Sequence, residues 1–159
     1  MWRKKKEKEE ALSFKEEVYA GLVPSPGLLG MIREHEGCVL ELYKDSVGKS
    51  TIGYGHNIED NGITLRTAES ILVEDVRKAM YDVHAVLEDF YPFLSIKRKW
   101  VVVDMMFNLG ESRFKTFKKF IKALREQDFA EAAREMLDSK WAEQVGKRAT
   151  NLAKIMRNG

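Results

Sequence analysis

Apolar residues recur at helical spacing along most of the chain after residue 64. Between Thr64 and about Phe90 they stand three and four positions apart, and Thr64 can cap the first turn. The stretch KWVVVDMMFNLG that follows is apolar on almost every side, as in a central buried helix, and Gly110 can end it. This pattern predicts a long amphipathic helix followed by a buried one.

Basic amphipathic helices are predicted in the last third of the chain. They cover FKTFKKFIKALRE, DFAEAAREML and, after Trp141, VGKRATNLAKIM. Asp128 and Glu131 stand at the spacing of a capping box, which supports the start of the second of these helices.

Near residue 40 the pattern is that of short strands. VLELY and STIGY are separated by KDSVGK, whose Asp, Ser and Gly residues favour a turn, so residues 39–58 are predicted to form a small hairpin sheet. A short helix from Leu28 to about Glu36 precedes the sheet and can stop at Gly37, and a second turn is expected at EDNGI. The fold class is therefore α+β, with one small hairpin sheet in a helical protein.

The start of the chain predicts an appended helical extension. MWRKKKEKEEALSFKEEVYAGLV is rich in helix-forming and charged residues, and it stops at PSPG, through which no helix continues. A solvated or frayed helix is the structural interpretation, and a tethering helix is the functional one. We therefore divide the chain into this extension, residues 1–26, and one domain, residues 27–159.

Charge is distributed unevenly, although the formal net charge is only +2. Residues 112–159 carry 12 basic and 6 acidic groups, whereas residues 31–111 carry 9 and 14. A basic C-terminal third could meet an anionic polymer, and a solvated helix face is the simpler interpretation. Nucleic-acid binding is not expected, because no reading motif is recognisable.

Several classes of protein are not expected from the remaining composition. Cys38 is the single cysteine, so no intrachain disulfide is possible, and we expect it to be a small buried residue. The uncharged stretch at 18–32 contains prolines and glycines and is shorter than the ~20 residues of a membrane span. We expect synthesis in the cytoplasm without a signal peptide or an integral membrane segment. The three histidines are scattered, and neither a metal nor a cofactor is expected.

Glu36, Asp45 and Thr51 form the strongest chemical candidate. As an isolated pair, the two acids would be read as ordinary surface residues. Their context is more selective, because Glu36 ends a helix, Asp45 lies in the hairpin turn and Thr51 begins the returning strand. The three side chains could therefore line one cleft.

The residues around them form three spaced motifs: Glu36-Gly37, Tyr43-Lys44-Asp45 and Thr51-Ile52-Gly53-Tyr54-Gly55-His56. These motifs resemble the pattern Glu-Gly, Tyr-x-Asp and Thr-Ile-Gly-x-Gly-His of the phage-type lysozymes, the muramidase endolysins of tailed phages in glycoside hydrolase family 24. The resemblance continues through MFNLGE, the Trp141 region and KRA, so it covers about residues 28–159.

This resemblance implies a lysozyme-like fold, with a small lobe (about 37–63), a connecting helix (about 64–90) and a helical lobe (about 93–159) around an active-site cleft. It implies hydrolysis of the bond between N-acetylmuramic acid and N-acetylglucosamine in bacterial peptidoglycan, leading to cell lysis. Glu36 resembles the proton donor, Asp45 its partner and Thr51 the hydroxyl that holds the attacking water. Such a hydroxyl suits the wider carboxyl separation of an inverting enzyme, so inversion is expected.

Other family positions imply contacts with the glycan. The substrate-binding positions hold Asn57, Phe107, Asn108, Phe120 and Glu135. Asn57 can bond a sugar amide, and Phe107 can cover a sugar face. Phe120 and Glu135 depart from the polar types usual in the family and could belong to the helix surface or the core, while Asn108 is equally compatible with a structural amide.

Two residues are expected to support the site. Arg148 matches a family arginine close to the catalytic acid, and His56 is expected to form a structural ion pair with an acid of the long helix. The expected partner is the glycan strand of peptidoglycan, reached by a monomeric enzyme after release through a holin or on a virion. The alternative is a non-hydrolytic peptidoglycan-binding or phage tail module with the same fold, which has no chemical need for the three catalytic candidates together.

Overall fold

The computed structural model describes residues 22–159, which divide into two compact units between Ile63 and Thr64. The first unit contains the sheet, and the second is built from helices. Most of the predicted N-terminal extension, residues 1–21, lies outside the described part of the chain. The arrangement of lobes around a cleft, which the family resemblance implies, stays a prediction.

Within residues 22–63, the first unit is a three-stranded antiparallel sheet with one helix before it in sequence and one after it. Ser25 caps the first helix by accepting a backbone hydrogen bond at 3.3 Å, and Gly37, with φ 65°, ends it. Tyr43 pairs with Thr51, and Thr51 pairs with Asn57, so the second strand is central. The elements are α1 (Pro26–Glu36), β1 (Val39–Lys44), β2 (Ser50–Gly53), β3 (His56–Asn57) and α2 (Ile58–Asn61).

The second unit begins with the longest of the described helices. Thr64 Oγ1 caps it by accepting from Thr67 N at 3.1 Å. In the part of the chain that the structure covers, no helix has the length and apolarity to cross a membrane. The elements are α3 (Leu65–Leu87), a 3₁₀ turn (Tyr91–Phe93), α4 (Ile96–Leu109), α5 (Glu111–Phe114), α6 (Lys118–Arg125), α7 (Phe129–Leu137), α8 (Lys140–Val145) and α9 (Lys147–Asn158).

The core of the second unit is built around α4. This helix packs against α3 and α9, while α7 packs against α6 and α9. Burial of each large apolar side chain contributes about 1.5–3 kcal/mol, so this cluster supplies the main driving force for folding the unit. Its largest fully buried members are Phe114, Phe120, Leu87, Met105, Met106, Leu124, Met136, Met156, Val83, Val101 and Val102.

Several predicted helix boundaries are confirmed. The long helix begins after Thr64, although it ends at Leu87 and not at Phe90. α4 ends at Gly110, which has φ 71°, as predicted. Its burial is confined to the middle of the helix, at Val101, Val102, Met105 and Met106. Asp128 accepts a hydrogen bond from Glu131 N at 2.8 Å, as a capping residue at that spacing should.

Two predicted elements are wrong in detail. The expected turn at EDNGI is mostly helix, because Asn57 caps α2 and Gly62, with φ 61°, ends it. FKTFKKFIKALRE is not one helix: α5 ends at Phe114 and α6 begins at Lys118. The break follows from a turn in which Thr116 Oγ1 donates to a backbone carbonyl at 2.6 Å, which competes with a continuous helix.

One expectation about burial is also wrong. Cys38 is exposed, because it lies in the link between α1 and β1, outside the buried cluster of the second unit. The apolar stripe of α3 is buried only toward its C-terminal end, where Val83 is 0% exposed. Leu72 and Met80 are 50% and 47% exposed, and they line a cavity of about 590 Å³ beside α4.

Replacement of Leu124 by alanine is expected to destabilise the protein by about 2–5 kcal/mol. Leu124 is 1% exposed in α6, so the smaller side chain leaves a cavity among close-packed neighbours. Leu137→Ala is the matched control, because Leu137 is 43% exposed at the end of α7. The control substitution should lower the free energy of unfolding by less than about 1 kcal/mol. Denaturant titration measures both free energies of unfolding, and equal losses would contradict the core position of Leu124.

Candidate active site

Glu36 is the last residue of α1, and the turn between β2 and β3 comes close to its carboxylate. The helix stops there because Gly37 N donates to Arg33 O at 3.2 Å and takes a positive φ. Gly55 has φ 80°, and a Cβ placed on it would lie 3.5 Å from Glu36 Oε2. The glycine therefore serves two needs, since it adopts the left-handed conformation and leaves space beside the carboxylate.

Asp45 lies in the turn between β1 and β2, and the backbone of that turn holds its carboxylate. Oδ1 accepts hydrogen bonds from Val47 N at 3.0 Å and from Lys49 N at 2.8 Å. The main chain closes the same loop, because Asp45 N donates to Lys49 O and Gly48 N donates to Asp45 O, both at 3.0 Å. The carboxylate plane is thereby oriented, and Oδ2 lies on the side of Thr51.

Thr51 is the one polar side chain that is buried among residues 22–159, at 2% exposure. Its Oγ1 lies 3.1 Å from Lys49 O and 3.5 Å from Asp45 Oδ2. A threonine hydroxyl has one proton to donate, and the shorter contact to the Lys49 carbonyl is the better hydrogen bond. The Thr51 oxygen can then accept a hydrogen bond from another group while it stays beside Asp45.

The first unit carries all three predicted residues of acid–base chemistry, and the structure places Asp45 beside Thr51. Glu36 lies against the β2–β3 turn, while Asp45 and Thr51 lie on the β1–β2 hairpin of the same sheet. One carboxyl group can deliver a proton, and a second carboxylate beside a hydroxyl can orient water. The assignment of these roles stays a prediction.

The side chain of Asn57, a predicted substrate contact, already forms hydrogen bonds within the first unit. Its Oδ1 caps α2 by accepting from Asp60 N at 3.0 Å, and its Nδ2 donates to Asp60 Oδ2 at 3.0 Å. One amide proton and one oxygen lone pair remain for other partners. A sugar contact from Asn57 would therefore have to use these remaining groups.

The four other predicted substrate residues belong to the second unit, and the structure does not bring them to one place. Phe107 is 42% exposed and lines the cavity beside α3 and α4. Asn108 accepts a hydrogen bond from Trp141 Nε1 at 2.8 Å, which favours its interpretation as a structural amide. Phe120 and Glu135 lie at a different cavity, of about 570 Å³, between residues 109 and 144.

Phe120 and Glu135 differ in their access to that cavity. Phe120 is 1% exposed and packs edge to face against Phe114 and Phe117, so its burial favours a role in the core. Glu135 lies 3.8 Å from Lys119 Nζ in an ion pair. Between these two residues, Glu135 is the better placed for a contact with a ligand.

The two predicted supporting residues have partners inside their own units. His56 Nε2 lies 2.7 Å from Gly62 O, so the ring links β3 to the end of α2. Arg148 Nε donates to Asp104 Oδ1 at 2.9 Å and joins α9 to α4. The expected ion pair of His56 with the long helix, and the expected proximity of Arg148 to Glu36, would each involve both units and stay predictions.

The sequence reasoning missed two features of the first unit. The first is the approach of Gly55 to Glu36, for which the two glycines of GYGH were the available signal. The second is Glu59, which contacts both Ser50 and Lys44. The only signal for Glu59 was the adjacent pair of acids in NIED, which gives no indication of the partner strand.

Several known proteins of the phage lysozyme type are similar in sequence to this chain. The profile of the phage lysozyme family matches residues 33–157. Probable T4-type lysozyme 2 of Dictyostelium discoideum is 30% identical over 160 residues, covering 83% of this chain and 94% of the relative. An endolysin of Acyrthosiphon pisum secondary endosymbiont phage 1 is 31% identical over 125 residues, covering 76% of this chain and 82% of that protein. The pre-baseplate central spike protein Gp5 of Enterobacteria phage T4 is 23% identical over 163 residues, covering 86% of this chain but 28% of the spike protein.

The described fold, a small antiparallel sheet in a mainly helical chain, is of the α+β lysozyme-like class. The chain belongs to the phage lysozyme family, because the family profile spans most of its length. The resemblance found from the motifs is thereby confirmed. The protein is a muramidase-type glycoside hydrolase with peptidoglycan as its substrate class.

Gly55→Ala is expected to lower hydrolytic activity several-fold, and Gly110→Ala is its matched control. Both glycines have positive φ, 80° and 71°, so both substitutions strain the backbone, by about 1–2 kcal/mol. Only at Gly55 does the new methyl group meet Glu36, whereas a Cβ at Gly110 has nothing within 4 Å. Thermal unfolding and a cell-wall turbidity assay measure the two effects. Equal activity in two equally stable variants would contradict a functional role for the space beside Glu36.

Proposed function

We propose that this chain hydrolyses the bond between N-acetylmuramic acid and N-acetylglucosamine by a single displacement with inversion. In this proposal Glu36 protonates the leaving oxygen, and Asp45 and Thr51 position the attacking water. The observation that carries the proposal is the orientation of Asp45 by two backbone N–H groups of its own turn, which leaves Oδ2 beside Thr51.

The geometry of Asp45 and Thr51 supports the role in water activation. The two oxygens are 3.5 Å apart, and a water about 2.8 Å from each can contact both. The carboxylate can accept the proton that water loses, and the Thr51 oxygen can fix the direction of attack. A carboxylate used as a covalent nucleophile has no need for such a hydroxyl, so the pair favours inversion over retention.

The surroundings of Glu36 support its role as the acid. A general acid must reach the leaving oxygen, so its carboxyl group needs open space on the substrate side. Gly55 supplies no side chain next to Oε2, and Glu36 is exposed at the end of α1. The helix and the β2–β3 turn fix the backbone around the group without covering it.

For substrate binding we propose Phe107 as an aromatic contact for a sugar face and Asn57 as a donor to a sugar amide. Phe107 has the exposed ring that such a contact requires. Glu135 is proposed as a peripheral contact, Phe120 as support from within the core, and Asn108 as support through its hydrogen bond from Trp141. Arg148, held by Asp104, is proposed to support the site electrostatically.

We further propose that a monomeric enzyme acts on the bacterial cell wall after release and thereby causes lysis. The likeness to a phage endolysin supports this role. The second candidate is a phage tail module that binds peptidoglycan without hydrolysing it. The partial match to the central spike protein Gp5 favours it, whereas the ordered pair of Asp45 and Thr51 favours hydrolysis.

Glu36→Gln is expected to lose nearly all activity on purified peptidoglycan while it stays folded. Glutamine keeps the shape of the side chain but cannot deliver a proton, and general acid catalysis contributes roughly 100- to 10,000-fold. Glu34→Gln is the matched control, because Glu34 is an exposed acid of the same helix. Mass spectrometry of the released muropeptides should show hydrolysed muramic acid ends from the wild type and from the control.

Two results would contradict this proposal. A folded Glu36→Gln variant with more than about a tenth of wild-type activity would remove Glu36 from the role of acid. A wild-type protein that binds cell walls but releases no muropeptides would favour the tail-module alternative. Anhydro ends in place of hydrolysed ends would indicate lytic transglycosylation.

A further inference from the structure

Glu59, in the short helix α2, accepts three hydrogen bonds from the β1–β2 hairpin, two of them from Ser50, the first residue of β2. Its Oε2 accepts from Ser50 N at 3.1 Å, from Ser50 Oγ at 3.0 Å and from Lys44 Nζ at 3.2 Å. Ser50 and Lys44 are partners in the β1–β2 ladder. One carboxylate therefore joins α2 to both strands of the hairpin that carries Asp45 and Thr51.

Lys49 is held on the same side by the acids of α2. Its Nζ lies 2.9 Å from Asp60 Oδ1 and 3.5 Å from Glu59 Oε1. The hydrogen bond to Asp60 raises the pKa of Lys49, so this ammonium stays charged over the whole working range of pH. The side chains of Lys44, Lys49, Glu59 and Asp60, with Ser50, are called the α2 clamp below.

The backbone of Lys49 contacts the proposed catalytic pair. Its N–H donates to Asp45 Oδ1 at 2.8 Å, and its carbonyl accepts from Thr51 Oγ1 at 3.1 Å. Residues 49 and 50 thus have two sets of partners. The main chain of Lys49 holds Asp45 and Thr51. The Lys49 side chain and the N–H and hydroxyl of Ser50 bond to the acids of α2.

We propose that Glu59 is a positioning residue for hydrolysis, which acts through Ser50 and Lys49 to hold Asp45 and Thr51 at the separation that water activation needs. The inference rests on the proposed function. Glu59 itself touches neither of the two side chains in the contacts described above. Its effect is on their spacing, because any movement of residues 49 and 50 changes both partners of Lys49 at once.

The expected effect of Glu59 is larger on catalysis than on global stability. The ion pairs of the clamp are solvent-exposed, with Lys44 and Glu59 side chains 64% and 43% exposed, and exposed pairs stabilise a fold only weakly. Catalytic geometry is far more sensitive, since a misplacement of about 1 Å can lower a rate about 100-fold. The clamp therefore has the properties of a local positioning device.

The clamp is in place at working pH. The Ser50 N–H, first, and then the Ser50 hydroxyl and Lys44 lower the pKa of Glu59 from 4.5 to about 2. A carboxyl with a lowered pKa in the folded state contributes stability above its ordinary value and loses that contribution as the pH falls toward its folded value. The contribution of Glu59 is thus complete above about pH 4.5 and declines between that pH and about 2.

The test compares Glu59→Ala, Glu59→Gln and the control Glu74→Ala on peptidoglycan fragments of defined size. Glu74 is an exposed acid whose described partner, Arg77, lies on its own helix. Glu59→Ala should lower kcat about tenfold with KM changed less than about twofold, because the spacing is altered and not the binding of glycan. Glu59→Gln should recover most of kcat, since its amide oxygen can still accept from Ser50 N. Glu74→Ala should match the wild type.

Amide hydrogen exchange supplies a readout that does not depend on activity. The Lys49 N–H bonds to Asp45 and not to Glu59, so faster exchange at Lys49 in Glu59→Ala reports transmission of the change to the catalytic pair. A merely structural role would instead raise exchange throughout the first unit. In Glu59→Gln the Lys49 amide should exchange as in the wild type.

Each outcome decides the proposal. Unchanged kcat and unchanged Lys49 exchange in Glu59→Ala would overturn it, as would a Glu59→Gln variant that loses as much kcat as the alanine variant. If Glu59→Ala does not fold, Glu59→Met takes its place with the same expected results, because it fills similar space and offers Ser50 N no oxygen acceptor. If the wild type releases no muropeptides, the proposed function fails, and the exchange at Lys49 still shows whether Glu59 positions the hairpin.

Discussion

The hydrogen bonds from Val47 N and Lys49 N to the Asp45 carboxylate are the interaction on which the proposed site depends. They use the turn's own backbone, so the side chain is oriented by the same contacts that close the hairpin. Because Oδ1 is committed to these donors, Oδ2 is directed toward Thr51. A turn that changed its length or its type would move the carboxylate and the neighbouring strand together.

The rest of the first unit can be understood as support for that hairpin. β2 is the central strand, and the 2% exposure of Thr51 leaves its hydroxyl little contact with bulk water. The positive φ of Gly55 turns the chain from β2 to β3 and leaves open space at Glu36. α2 then returns along the hairpin and places Glu59 at Ser50. Local turn chemistry, more than a large apolar core, positions the candidate chemistry.

Much of this could be predicted from the sequence, because it depends on local signals. Residues adjacent in sequence determine several of these features. They are the caps at Thr64 and Asp128, the end of α4 at Gly110 and the hairpin around Asp45. The motif that carries Glu36 and Thr51 is equally local, and the family that it indicated is confirmed by the family profile.

Contacts between distant residues could not be predicted in the same way. Nothing in NIED shows that Glu59 meets Ser50, and nothing near Asn108 shows that Trp141 donates to it. Phe120 is a further case: its family position suggested a glycan contact, whereas packing against Phe114 and Phe117 buries its ring. Such pairings depend on how helices and strands meet, which hydrophobic periodicity alone does not specify.

The central claim, that Asp45 and Thr51 activate water for a single displacement, is tested most directly by proton NMR of the nascent reducing end, recorded before mutarotation. The account predicts that the α-anomer appears first, and an initial β-anomer would contradict it by making Asp45 a covalent nucleophile.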